Sequence, residues 1–193
     1  MTEKNKGKPG KNRKPAKEPV ADAEKLSENR EKILATALML FTERGFFGTP
    51  TSLISKEAGV ATGTLFFYFK TKGELIDTLY CRIKQEAAKE MCRGIEEQKT
   101  TKAKIRRLGT NMVRWGIKNP AKLKFMEQFA HSSFVSTSAH EEGMSNFLFL
   151  EGLVTDGIRE GVLRTIDPKL LFHMMASAMS GLVARASEID DSE

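Results

Sequence analysis

Four consecutive aromatic residues, Phe66–Phe69, lie in a segment whose side chains suit contact with a polyanion. An amphipathic helix buries one stripe and exposes the other, so four adjacent aromatics cannot all face a core. The hydroxyls and methyls of Thr62 and Thr64 suit base edges and thymine methyls. Gly63, between them, lets a backbone approach closely. This segment therefore offers the chemistry of nucleic-acid contact rather than of bond breaking.

Phosphate contacts are expected at the end of the same segment. Tyr68 can donate a hydrogen bond to a phosphate, and Lys72 can pair with one beside the free N–H groups of a helix start. Phe69 is expected to face the core. The alternative for Phe66 and Phe67 is that they also belong to the core and lean into the following helix.

Catalytic chemistry has little support in the sequence. His131, His140 and His173 do not form a metal-ligand spacing such as H-x-x-x-H. His140 and the two glutamates after it could bind a metal, but an exposed helix start explains them better. There is no nucleophile elbow, no P-loop and no Cys–His pair. We therefore expect no enzyme activity, no cofactor and no metal.

The two cysteines, Cys81 and Cys92, are predicted to be reduced thiols. On one helix they would be separated by about 16 Å of rise, which is too far for a disulfide. The sequence has no run of eighteen apolar residues, and the lysine-rich N-terminus is not followed by an apolar segment. We expect a cytoplasmic protein with no membrane partner.

The positive charge of this 193-residue chain, which is long enough for one or two domains, is concentrated in its first third. Of the net +6, residues 1–25 contribute +4 and residues 26–72 contribute +2, whereas residues 73–193 are neutral. A polyanion that contacts this end is the simplest use of the asymmetry. The alternative is a solvated tail that aids solubility.

Helical periodicity dominates the chain after residues 1–25, which we expect to be a disordered basic tail that could also lie along phosphates. No segment has the alternating pattern of a strand. The fold is predicted to be all-α, with about eight to nine helices. The predicted helices run from about Ser27 to Gly45, Thr49 to Gly59, Ala61 to Phe67, Thr71 to about Gln98, Lys102 to Lys118, Ala121 to about Ser132, Glu141 to Glu160 and Pro168 to Glu188.

Several helix ends have recognisable caps. Thr49 is predicted to cap the second helix with Pro50 at its first position, and Gly59 to end it. Thr71 and Glu74 form a capping box for the long fourth helix. Residues 132–140 are predicted to be a loop or a frayed helix entry.

The second and third helices, joined by a tight turn at Gly59 and Val60, form a helix-turn-helix. In that motif the second helix enters the DNA major groove. Residues 30–80 resemble the N-terminal DNA-binding domain of the tetracycline-repressor (TetR/AcrR) family of bacterial transcription regulators. The matching positions are Ile33, Ala37, Phe41, Gly45, Phe46, Thr51, Ile54, Ala58, Gly59, Val60, Gly63, Leu65, Phe69, Lys72 and Leu75.

The resemblance implies a helix-turn-helix domain over residues 26–73 and a helical effector-binding and dimerisation domain over residues 74–193. It implies a homodimer that binds a double-stranded DNA operator. Two positions depart from the family pattern: Ala61 lacks a frequent capping serine hydroxyl, for which Thr62 could substitute, and Phe66 lacks a frequent tyrosine hydroxyl. The DNA-contacting residues implied are Thr51, Thr62, Gly63, Thr64, Phe66, Phe67, Tyr68 and Lys72.

The last two predicted helices would pair with their copies in a four-helix dimer bundle. Met174, Ala178, Gly181 and Arg185 fall on one face at spacings of three and four, and small residues there would allow close approach. The alternative is a core helix within one protomer.

Large apolar residues spread over several helices could line a ligand cavity or simply fill a core. Trp115 is the favoured member, because its N–H needs a partner. Polar anchors could be Gln128, His131 or Glu151. The candidate ligand-binding residues are Trp115, Phe125, Met126, Phe129, Phe147, Glu151 and Met175.

The sequence thus predicts a DNA-binding transcription regulator, a repressor that a small, mainly apolar effector releases from its operator. The alternative is a ligand-independent architectural DNA-binding protein that uses the basic tail.

Overall fold

The computed structural model describes residues 19–168, 170, 171, 173–175, 177, 178 and 181, with only the backbone of residues 19–23. Within these residues the chain forms helices and turns without a strand, which confirms the all-α prediction. The described residues from 168 to 181 are also helical. The helices with defined bounds are α1 (Pro19–Arg44), α2 (Thr51–Glu57), α3 (Thr62–Tyr68), α4 (Lys72–Met91), α5 (Thr101–Lys118), α6 (Pro120–Phe129), α7 (Thr137–Ser145) and α8 (Phe149–Arg159).

The first helix begins earlier than the sequence pattern indicated. We expected ordered structure from about Ser27, but α1 begins at Pro19. Proline is well tolerated in the first turn, and the residues after it include good helix formers such as Ala21, Ala23 and Glu24. The remainder of the predicted tail, residues 1–18, lies outside the described residues.

The turn between α2 and α3 is built as the sequence predicted. Gly59 has a φ of +67°, the left-handed conformation that glycine adopts without strain. Its N–H donates to Lys56 O, and the Val60 N–H donates to Ser55 O. These two bonds form a Schellman motif, which ends α2 and turns the chain into α3.

Thr49 does not cap α2, contrary to the prediction. Its side chain is fully buried, and its hydroxyl hydrogen is shared between Leu40 O at 3.0 Å and Gly45 O at 2.8 Å. Pro50 occupies the N-cap position and makes no side-chain cap. Thr49 instead fastens the turn to the end of α1, which fixes the point at which α2 starts.

The capping box of α4 is only partly as predicted. The Glu74 N–H donates to Thr71 Oγ1 at 3.0 Å, but the Glu74 carboxylate accepts from the Lys70 N–H rather than from that of Thr71. The helix also ends at Met91, seven residues before the predicted Gln98. Gly94, with φ +70°, and a series of tight turns end it there.

Two further boundaries differ from the prediction. The helix α6 ends at Phe129 rather than near Ser132, and the predicted helix from Glu141 to Glu160 is broken into α7 and α8. The break occurs because Asn146 Nδ2 donates to Glu142 O while Phe147 N bonds Met144 O in a tighter turn. Phe147, at the break, points into the core and is 5% exposed.

One hydrophobic core runs through the N-terminal and C-terminal parts of the described chain. α1 packs on α6 as well as on α2, α3 and α4, and α4 packs on α5, α6 and α7. Phe41 of α1 contacts Phe125 and Phe129 of α6, at ring-centroid distances of 6.4 and 6.0 Å. The C-terminal helix α6 therefore packs on α1, and α1 in turn supports α2 and α3. Within the described residues, no helix is long and apolar enough to cross a membrane.

Candidate nucleic-acid interface and interior cleft

The helix α3 is held by one side and presents the other to solvent. Leu65 and Phe69 are buried in the core, as predicted. Phe66 is 43% exposed and Phe67 is 72% exposed, although both are large and apolar. A core role for Phe67 does not fit this exposure, and Phe66 lies at the boundary.

The start of α3 is open and sparsely capped. A Cβ built on Gly63 meets nothing within 4 Å, so the molecule itself does not require glycine there. Ala61 occupies the N-cap position without a side-chain bond, and Thr62 does not replace that cap. The Thr62 hydroxyl instead bonds Ser55 Oγ at 3.0 Å and ties α3 to α2. Thr64 is half-buried.

Two predicted phosphate ligands are engaged within the protein. The Tyr68 hydroxyl donates to Leu26 O of α1 at 2.7 Å, which braces the end of α3. The Lys72 ammonium donates to Phe46 O and lies 4.0 Å from the centre of the Phe46 ring. Burial lowers the pKa of Lys72 from its ordinary value. Thr51, the remaining predicted contact, is half-buried at the start of α2.

Comparison with known proteins decides the family. Residues 33–79 match the family described as bacterial regulatory proteins, tetR family. A TetR-family transcription regulator from Shewanella sp. PV-4 is 30% identical, superposes with a TM-score of 0.71, and the match covers 85% of this chain and 86% of that one. The chain belongs to the TetR family. It is a DNA-binding transcription regulator, as the sequence predicted.

Two other proteins similar to this chain are connected with fatty acids or their CoA derivatives. The fatty acid metabolism regulator protein of Bacillus subtilis (strain 168) is 27% identical over 148 residues, which cover 75% of this chain and 76% of the relative. The crystal structure of the regulator FadR from Bacillus subtilis in complex with stearoyl-CoA has the same fold. It is 22% identical with a TM-score of 0.67, and the match covers 83% of this chain and 88% of that one.

The candidate ligand-binding residues of this TetR-family protein do not converge on one cavity. Phe125 and Phe129 are buried against Phe41, and Trp115 is buried beside Glu86, to which its Nε1 donates at 3.3 Å. Phe125 and Phe129 fill the core, whereas Trp115, although buried, also lines a small cleft of about 290 Å³ with Glu86 and Asn111. Of the polar anchors, Gln128 donates to Thr42 O of α1 at 3.3 Å. Met126 and His131 face one cleft, Phe147 and Glu151 face another, and Met175 packs against the core.

The cleft that holds Met126 and His131 has a volume of about 980 Å³. Its walls come from α4, α6, α7 and the loop between α6 and α7, residues 130–136, with His173 and Ser177 at one edge. Leu123, Met126 and Val135 supply apolar surface. This volume is typical of a small-molecule site.

Sequence reasoning missed the buried lysine in the wall of this cleft. Lys84 is only 5% exposed, and its ammonium lies 5.4 Å from the ring centres of both Tyr80 and Phe147. Burial lowers the pKa of Lys84 to about 8. The signal was present, since Lys84 follows Tyr80 by four residues on the buried stripe of α4.

The same loop that lines the cleft also contacts the turn between α1 and α2. Phe134 stacks on Phe46, in the turn after α1, with ring centres 4.3 Å apart and planes 5° apart. Phe134 also makes an edge contact with Phe47 at 5.0 Å. The loop 130–136 is thus a direct physical link between the cleft and the segment that positions α2 and α3.

The histidine of the candidate metal group is engaged within the protein. His140 Nδ1 lies 3.2 Å from the Tyr80 hydroxyl, and its Nε2 lies 3.4 Å from Ser132 O. Among the residues described, no three potential ligands come together as a metal site. Cys81 and Cys92 are free thiols, as predicted. Burial raises the pKa of Cys81 to about 11, which disfavours the reactive thiolate.

Proposed function

We propose that this TetR-type regulator is a homodimeric repressor that a small, mainly apolar effector releases from its operator. The observation that carries the proposal is the exposed face of α3, where Gly63 and Phe67 face solvent while Leu65 and Phe69 anchor the helix. A short helix that is anchored on one side and exposed on the other suits insertion into the DNA major groove.

The DNA surface divides into contacting and bracing residues. The exposed face around Gly63, Phe66 and Phe67 would contact bases and sugars. Tyr68 and Lys72, whose donors engage α1 and the following turn, would hold the angle of α3 and reach phosphate from its edge. Lysine has three donors, so Lys72 can serve Phe46 and a phosphate together. The full proposed surface remains Thr51, Thr62, Gly63, Thr64, Phe66, Phe67, Tyr68 and Lys72.

A dimer is supported by apolar residues exposed near the C-terminal end. Leu148 is 62% exposed, Leu170 54% and Met174 55%. Ala178 and Gly181, on the predicted dimer face, are exposed too, whereas Arg185 lies outside the described residues. Exposed apolar surface of this kind suits burial against a second copy.

We place the effector in the cleft of about 980 Å³. The name of the relative that regulates fatty acid metabolism, and the stearoyl-CoA in a protein of the same fold, favour an amphipathic molecule with an apolar chain. Entry of such a molecule would press on the loop 130–136. Because Phe134 of that loop stacks on Phe46, the movement would reach the turn between α1 and α2 and shift the two DNA-reading helices.

Fluorescence anisotropy with double-stranded DNA from upstream of the protein's own gene tests the proposal. Gly63→Ala removes space at the DNA surface without a clash in the protein, so we expect the Kd to rise about tenfold for a lost base contact worth about 1–3 kcal/mol. Gly109→Ala, also at an open helical position, is the matched control. Indifference of the purified protein to duplex DNA at low ionic strength would refute the proposed function.

Two further readouts complete the test. Analytical ultracentrifugation should give the mass of two chains. Deletion of residues 1–18 should leave operator binding measurable. If binding vanishes entirely on deletion, the tail is the main DNA contact and the architectural alternative holds.

A further inference from the structure

The small cleft of about 290 Å³ between α4 and α5 is lined by basic side chains. It lies apart from the larger cleft in which we place the effector, because Lys84 and Glu86, which line the two clefts, lie about 200° apart around α4. Its volume suits a ligand of only a few atoms. The basic residues that line it are Arg93, Arg107, Arg114 and Lys118.

The two acidic groups that line this small cleft already have cationic partners. The Glu86 carboxylate accepts hydrogen bonds from Lys122 Nζ at 2.6 and 2.7 Å, and a third from Trp115 Nε1 at 3.3 Å. The Glu90 carboxylate forms an ion pair with Arg93. Neither carboxylate therefore neutralises the basic residues that α5 contributes.

Three cations of α5 have no acidic partner. Arg107, Arg114 and Lys118 form no ion pair within the part of the chain that the structure describes. Arg107 Nε donates to Arg93 O at 3.2 Å, which orients the guanidinium and leaves its four other N–H donors. The Glu97 carboxylate approaches Arg107 without forming an ion pair with it. The cleft thus has an excess of positive charge, which attracts an anion.

A buried amide lies between two of these cations. Asn111 follows Arg107 by four residues and precedes Arg114 by three, so the three residues share one face of α5. Asn111 Nδ2 donates to Met91 O at 3.1 Å and to Arg93 O at 2.7 Å, which fixes the amide against the end of α4. Its Oδ1 accepts no hydrogen bond from the described residues, although Asn111 is only 6% exposed. Because buried polar atoms are normally paired, this acceptor suits a ligand that donates an O–H.

A phosphate anion has the two kinds of group that this arrangement requires. Guanidinium groups donate paired hydrogen bonds to phosphate oxygens. Inorganic phosphate also keeps an O–H at neutral pH, whereas sulfate has none. We propose that the small cleft binds a phosphate anion whose oxygens accept from Arg107 and Arg114 and whose O–H donates to Asn111. Lys118, one turn further along α5, adds to the attraction.

This site goes beyond the proposed function, because it is separate from both the DNA surface and the effector cleft. The phosphate is either the inorganic ion or the phosphate of a small ester that carries a hydroxyl group. Glycerol 3-phosphate represents the second source.

Titration of the full chain with inorganic phosphate, glycerol 3-phosphate and sulfate, at pH 7 and constant ionic strength, tests the site. Trp115 lines the cleft and is the sole tryptophan of the chain, so its fluorescence can report binding. Equilibrium dialysis with radiolabelled anions gives a readout that does not depend on fluorescence. We expect at least one of the two phosphates to bind about fivefold more tightly than sulfate, as for one additional hydrogen bond.

A pair of matched substitutions on α5 tests the arginine contact. Arg114→Gln removes a charged donor from the cleft and should raise the Kd of the preferred phosphate about tenfold. Arg106→Gln, at an exposed position of the same helix outside the cleft, should leave that Kd unchanged. Both arginines are exposed, so both variants should fold, and circular dichroism checks this.

The outcomes distinguish the two sources of phosphate. Tighter binding of inorganic phosphate indicates the free ion, and tighter binding of glycerol 3-phosphate indicates an ester. Equal binding of sulfate and both phosphates overturns the inference, as does the absence of saturable binding in dialysis. A phosphate affinity that is unchanged in Arg114→Gln overturns it too. Operator binding is measured in parallel, so a protein that binds DNA but fails these tests loses only the phosphate site.

Discussion

Replacement of Lys84 by methionine gives a quantitative test of the buried charge. Burial lowers the pKa of Lys84 from 10.5 to about 8, while in the unfolded chain it returns to its ordinary value. A difference of about 2.5 units corresponds to about 3 kcal/mol at about 1.4 kcal/mol per unit. Methionine has a similar length and no charge, so Lys84→Met should be more stable than the wild type by up to this amount at pH 7.

The sign of the pH dependence follows from the lowered pKa. The unfolded state binds more protons than the folded state between pH 8 and pH 10.5, so the wild type gains stability as the pH rises through this window. The free-energy cost of burying the charged Lys84 side chain is fully present well below pH 8. The titration curves of Lys84 in the folded and unfolded states can be integrated over pH. The result is that the difference in unfolding free energy between the wild type and Lys84→Met falls by about 2 kcal/mol between pH 7 and about pH 9.5.

Urea unfolding of both proteins at a series of pH values from 7 to 9.5 measures this effect. Burial raises the pKa of Cys81 from 9.0 to about 11 and that of Tyr80 from 10.0 to about 12. Cys81 therefore destabilises the folded state as the pH rises above about 9, and Tyr80 does so above about 10. They are present in both proteins, so their effect cancels in the difference. A wild-type-minus-variant difference that stays constant with pH would refute the buried-cation reasoning.

Three further perturbations test the DNA surface and its link to the cleft. Lys72→Ala should weaken binding to all DNA sequences and reduce the salt slope by about 1, whereas Lys89→Ala should not; equal slopes for Lys72→Ala and the wild type would exclude the phosphate contact. Phe134→Ala removes two ring contacts and should reduce the effect of dodecanoate or lauroyl-CoA on operator affinity about fivefold or more. The control Phe149→Ala should leave that effect unchanged. An unchanged effect in Phe134→Ala would exclude coupling between the cleft and the DNA-reading helices through this ring. Ala61→Ser, at a backbone conformation that suits an N-cap, should add about 1 kcal/mol of stability and raise Tm by about 2–4 °C in thermal unfolding; no gain would show that the hydroxyl finds no N–H of α3.

The helix-turn-helix could be predicted because its signals are local. Gly59 must adopt a positive φ, and Leu65 and Phe69 share one side of a two-turn helix, so the turn and the buried face follow from the sequence. The family resemblance added the function. Neither the exposed fraction of Phe67 nor the open space at Gly63 required knowledge of distant parts of the chain.

The C-terminal half was less predictable because distant contacts decide it. The break between α7 and α8 depends on Asn146 and on the insertion of Phe147 into the core, both within a stretch of apolar helical periodicity. The candidate ligand residues were chosen by size, but size does not distinguish a core residue such as Phe125 from a cavity wall. Thr49 illustrates the same limit, since its partners Leu40 and Gly45 belong to the preceding helix and turn rather than to α2.

Because Phe134 stacks on Phe46, a change in the loop 130–136 affects both the cleft and the turn between α1 and α2. Substitutions elsewhere in the cleft wall can affect the cleft alone. Substitutions of wall residues such as Leu123 and Met126 of α6 can alter which molecule fits without changing the length of the loop 130–136. An insertion or deletion within that loop would displace the aromatic plane on which the α1–α2 turn lies. New ligand preferences can therefore evolve by single substitutions in the walls, whereas a change in loop length would alter ligand sensing and operator recognition together.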